Sequence, residues 1–158
     1  MKTTLSVLVF SICLLSCKET TTKEVPAANI SVAEQIAQLK ADGFEIFDYV
    51  DEETGDTIIM QQYYMAFLSR GESQDQDKEA LDKLQQAHMA HLSRMYEKGF
   101  ADISGPFGDD DELRGITVYN VPTLKIADSL ANLDPMVRAG RLNVEIKPWW
   151  AGKGYPLR

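Results

Sequence analysis

Residues 57–68 run Thr-Ile-Ile-Met-Gln-Gln-Tyr-Tyr-Met-Ala-Phe-Leu, an apolar segment that ends in a continuous rather than alternating stretch. A strand with one wet face alternates apolar and polar side chains, whereas a strand covered on both faces is apolar throughout. The segment is therefore expected to be a central strand of a sheet. After a polar loop over residues 70–76, a helix is expected over residues 77–98, terminated by Gly99. Its apolar stripe is Leu81, Leu84, Leu92 and Met95, and at about 100° per residue His88 falls in the middle of it. His88 should thus face the sheet.

Short strands are expected at residues 100–103 and 115–121, separated by a turn-rich acidic loop at 105–112. A second helix should follow over residues 124–133. Asp134-Pro135 then sets a capping side chain before a residue favoured at the first helical position, which predicts one more helical turn. In the last strand Leu142, Val144 and Ile146 alternate with Arg141, Asn143, Glu145 and Lys147, and Pro148-Trp149-Trp150 should end it. Upstream, Ser31 and Glu34 form an S-x-x-E capping box for a short helix stopped by Gly43, and residues 44–50 read as extended. From residue 57 onward the order is strand, helix, strand, strand, helix, strand. That is the split βαβ of ferredoxin-like α+β folds, which places both helices on one face of the sheet. The other face needs a cover, from a partner subunit or from residues 30–56.

The first residues carry a different message. Lys2 precedes an apolar run over residues 5–15, too short for a bilayer span of about 20 residues but suited to a secretory h-region. Leu14-Leu15-Ser16-Cys17 resembles the bacterial lipobox, so residues 1–16 are expected to be a cleaved signal peptide and Cys17 the lipidated first residue. Residues 17–30 would be a Thr-rich tether, 31–56 an added helix and strand, and 57–154 the main domain. The expected location is the bacterial cell envelope, membrane-anchored through Cys17, with Lys18 pointing to the outer rather than the inner membrane. Because the two cysteines are Cys13 and Cys17, a mature chain starting at an acylated Cys17 has no thiol for a disulfide, zinc site or nucleophile. A net charge of −8 with scattered basic residues argues against a nucleic-acid partner.

Among candidate chemical groups His88 comes first, because imidazole can accept and return a proton near neutral pH, and a carboxylate neighbour would fix its tautomer. A buried histidine satisfied by a backbone carbonyl is the structural alternative. For Asp134 a helix cap suffices. His91, near the edge of the same helical face, could pair with His88 on a metal, but no third ligand is evident, and no metal or cofactor is expected. The acidic run at 109–112 lacks the spacing of a calcium loop. Arg114 and Arg138 could orient an anionic ligand, although solvated salt bridges explain them as well.

Tyr63-Tyr64-Met65-Ala66-Phe67-Leu68, Ala87-His88, Gly105-Pro106-Phe107, Leu113-Arg114-Gly115, Asp134-Pro135, Val137-Arg138-Ala139-Gly140-Arg141-Leu142 and Glu145-Ile146-Lys147-Pro148-Trp149-Trp150 together resemble the YCII-related (YciI-like) domain. The resemblance implies a ferredoxin-like fold that dimerises sheet to sheet into an α/β barrel, and an active-site His and Asp falling on His88 and Asp134. It also implies that Tyr64, Gly105, Pro106, Phe107 and Trp149 lie near a small-molecule pocket. Some relatives act as lyases or isomerases on aromatic or halogenated compounds, so the resemblance implies a proton-transfer enzyme using the His-Asp pair. A non-catalytic small-molecule-binding or envelope-interaction module is the alternative. Most members are bare cytoplasmic domains, from which the leader and residues 31–56 depart.

Overall fold

The computed structural model describes residues 30–155 and residue 157. The expected signal peptide, Cys17 and all of the tether before Ile30 lie outside the described residues. The elements are α1 (Val32–Ala41), β1 (Ile46–Val50), β2 (Thr57–Arg70), α2 (Lys78–Glu97), β3 (Ala101–Pro106), β4 (Leu113–Tyr119), α3 (Leu124–Ala131), α4 (Pro135–Arg138) and β5 (Leu142–Gly152). Local chemistry accounts for the helix ends. Ser31 and Glu34 exchange side-chain and backbone hydrogen bonds in the expected capping box, and Asp77, Thr123 and Asp134 each accept a first-turn N–H.

β2 is central, and none of its residues is exposed. β4 and β5 flank its C-terminal half, and β3 pairs with β4, giving the order β3-β4-β2-β5 of a ferredoxin-like α+β domain. β1 takes the place of β4 along the N-terminal part of β2. Met60 and Gln61 pair with β1 on one side and β5 on the other, while residues 64–69 pair with β4 and β5. The added strand therefore lies end to end with β4 and lengthens the sheet in its own plane, without folding across the helix-free face.

Even-numbered residues of β2 face the helices. Tyr64 and Ala66 pack with Met95 of α2, Ala101, Tyr119, Val121, and Ala127 and Ala131 of α3 in the main core. Fully burying a side chain the size of Met95 stabilises by about 1.5–3 kcal/mol. Odd-numbered residues face away: Tyr63 sits against Trp149 with ring centroids 6.3 Å apart, and Met65 and Phe67 lie opposite Val118 and Ile116. Burial pushes the Tyr63 phenol up to about 12, and the charge of Asp102 adds to the effect.

Several strand boundaries differ from expectation. β3 continues through Gly105 and Pro106, so these residues belong to a strand rather than the acidic loop. β4 begins at Leu113 and ends at Tyr119 instead of Val121. β5 passes through Pro148, Trp149 and Trp150 to Gly152, because it pairs only with β2 and an edge strand tolerates a residue without an N–H.

Candidate functional site

α2 crosses the sheet so that His88, Met89 and Leu92 stand above Leu68 of β2, Ser104 of β3 and Thr117 of β4. Between them is a cleft of about 430 Å³. Met136 of α4 also lines it, and Arg70, Arg114 and Arg141 contribute three guanidinium-bearing side chains to its wall. The Ser104 and Thr117 hydroxyls lie 3.0 Å apart. Glycine makes one wall thin enough: a Cβ on Gly115 would lie 2.6 Å from the Gly105 carbonyl oxygen, so β3 and β4 close up there only around a residue without a side chain.

His88 and Asp134, 46 residues apart, meet beside this cleft, with Nδ1 2.7 Å from Oδ2 and 2.9 Å from Oδ1. The His88 side chain keeps 12% of its surface exposed, and that of Asp134 only 4%. Asp134 Oδ1 also accepts the Met136 N–H at 2.8 Å, capping α4. Helix cap and histidine partner are thus one carboxylate acting twice. An ionised carboxylate can only accept, so Nδ1 is the donor in this pair, and in the neutral ring the lone pair is on Nε2.

His91 is the correction on this helix. It was expected near the edge of the apolar face, yet it is the most buried residue of α2, at 1% exposure, while His88 opens to the cleft. Burial lowers its pKa and holds it neutral; the charge of Asp134 opposes this, and Arg94 and His88 add to it. His91 Nε2 has no hydrogen-bond partner among the described residues. Among those residues, no three His, Cys, Asp or Glu side chains converge as a metal site. The Tyr119 phenol is raised by burial and by the nearby Asp134 charge.

A model of the YCII-related domain matches residues 63–150, more than half of the chain. The chain belongs to the YCII-related domain family. Among solved structures it is similar to 5-chloro-2-hydroxyhydroquinone dehydrochlorinase from Burkholderia phenoliruptrix AC1100 in complex with 2,5-dihydroxybenzoquinone. The identity is 17%, the match covers 55% of this chain and 92% of that chain, and the TM-score is 0.42. No curated protein matches the sequence.

Within the YCII-related domain, Gly105 and Pro106 line the cleft beside His88. Tyr64, Phe107 and Trp149 do not. Tyr64 lies in the core, where its hydroxyl donates to Gln62 Oε1 at 3.2 Å. Phe107 is exposed, and Trp149 faces Tyr63 on the other side of the sheet. Of the two arginines considered for an anionic ligand, Arg114 lines the cleft and Arg138 does not. Arg70 and Arg141 escaped notice in the sequence because each sits at a strand end. Arg70 is the last even-numbered residue of β2 and so shares the helix side with Leu68, while Arg141 directly precedes β5.

Proposed function

We propose that this protein is a lipid-anchored member of the bacterial cell envelope whose YCII-related domain moves a proton on a small organic molecule, as a lyase or isomerase does. One observation carries the catalytic part: His88, open to a cleft, donates from Nδ1 to the buried carboxylate of Asp134. In this account Nε2 removes a proton from a carbon next to a carbonyl, and the electron pair moves to the carbonyl oxygen. The imidazolium formed is stabilised by the Asp134 charge. Returning the proton to a different carbon gives an isomerase. Expelling a leaving group from the neighbouring carbon gives a lyase. Of the hydrogen-bonded Ser104 and Thr117 hydroxyls, the one whose O–H is not used in that bond offers a donor to the oxygen on which charge develops.

Residues 1–16 act as the signal peptide, Cys17 carries the lipid, and residues 57–154 form the working domain. Two copies pair through the helix-free sheet face. The test of the catalytic part is solvent-deuterium incorporation, followed by NMR, into a panel of aromatic acids and unsaturated lactones. Incorporation should occur with the native chain and vanish in His88→Ala. Incorporation unchanged in that variant removes His88 from the chemistry.

A further inference from the structure

The protein as a whole is acidic, with 24 Asp and Glu against 16 Lys and Arg, yet its cleft shows the opposite balance. Arg70, Arg114 and Arg141 line it together with a single carboxylate, Asp110. That carboxylate is engaged by two of them at once, Arg70 Nη2 at 2.5 Å and Arg114 Nη1 at 2.9 Å, and its side chain is 85% exposed on the loop between β3 and β4. Arg141 donates instead to a neutral amide, Gln76 Oε1, at 2.9 Å. Leu68, Met89, Leu92 and Met136 form the apolar part of the wall, beside the neutral polar side chains of Gln74, Gln85, Ser104 and Thr117.

We propose that this cleft binds a small organic carboxylate, its anionic end held by Arg114 and Arg141 with Arg70 beside them, and its apolar body laid under α2 against His88. The proposal rests on the proton-transfer account for its site and adds the class of ligand. Guanidinium forks match a carboxylate in two parallel hydrogen bonds, whereas an ammonium does not. Asp110, an exposed carboxylate held by Arg70 and Arg114, competes with a ligand carboxylate for Arg114. An anchored carboxylate also sets the direction in which the ligand enters, presenting a fixed carbon of its apolar body to His88.

The test is calorimetric titration of the full chain with benzoate and with its neutral analogue benzamide. Benzoate should bind, and benzamide should bind about tenfold more weakly or worse, as expected for losing a charge-assisted hydrogen-bond pair. Arg114→Gln and Arg141→Gln should each weaken benzoate about tenfold, with Arg141→Lys intermediate because it keeps the charge but loses the fork. Arg138→Gln, outside the cleft, should leave binding unchanged, and Asp110→Asn should tighten it severalfold. Melting curves identify any variant that fails to fold, in which case Arg141→Lys and Asp110→Asn decide. Equal binding of benzamide, no benzoate binding, benzoate affinity indifferent to the arginines, or weaker binding in Asp110→Asn overturns the proposal. Benzoate offers no proton to exchange, so the two accounts fail separately. His88-dependent deuterium exchange without an arginine effect removes only the ligand class. Arginine-dependent benzoate binding without exchange removes only the proton transfer.

Discussion

Asp134 accepts both the Met136 N–H and the His88 ring N–H, so replacing it removes a helix cap and an orienting group together. Asp134→Ala should therefore lower stability by about 1 kcal/mol for the cap alone, visible as a lower melting temperature. Asp134→Asn, which can still cap, should chiefly slow proton transfer, while His88→Ala should cost at least about 100-fold, the usual contribution of a positioned base. His91 governs a separate pH effect. Its folded pKa is depressed by burial below the unfolded value of about 6.5, so the unfolded chain binds the proton more readily. The stability contributed by keeping it neutral is complete above that unfolded value and is lost as pH falls below it. Denaturant titrations from pH 7.5 to about 5 should show falling stability, and His91→Leu should flatten that part of the profile. An unchanged slope in the variant would assign the effect to other groups.

At the scale of elements, the period of the apolar pattern made the central strand and α2 legible, and side-chain chemistry at the caps made the helix starts legible. The pairing of His88 with Asp134 was implied by the family resemblance, and two helices on one sheet face made it plausible; from the residues alone Asp134 read as a helix cap. Strand ends were harder to read. The extension of β3 through Gly105-Pro106 and of β5 through Pro148 depends on whether a neighbour occupies the strand's edge, a long-range fact that no local pattern encodes. Facing within a helix was misjudged for His91 for a related reason. Two histidines three residues apart share a stripe, and only the position of the cleft decides which one is buried. Gly115 shows how a strand shapes the site: Gly115→Ala would force its Cβ against the Gly105 carbonyl oxygen. That overpacking should cost about 1–3 kcal/mol, and it should also weaken benzoate binding by parting β3 from β4.

For the whole molecule, α2, α3 and α4 cover one sheet face and β1 lengthens the sheet end to end with β4, which leaves Met65, Phe67, Ile116 and the partly exposed Ile103 and Trp149 on the other. An apolar face of this kind favours pairing, and light scattering should report a homodimer. A monomer at micromolar concentration would remove that expectation. On the proposed lipidation of Cys17, Cys17→Ser should release the protein from the membrane fraction of the cells that make it. Retention of the variant in membranes would mean another anchor. The account as a whole turns on the state of one imidazole, and ¹⁵N NMR of the His88 ring at pH 7.5 reads it directly. The predicted spectrum has Nδ1 protonated and Nε2 bearing the lone pair, with that preference lost in Asp134→Asn. A ring protonated on Nε2 alone, or on both nitrogens at that pH, would contradict a base held ready by Asp134.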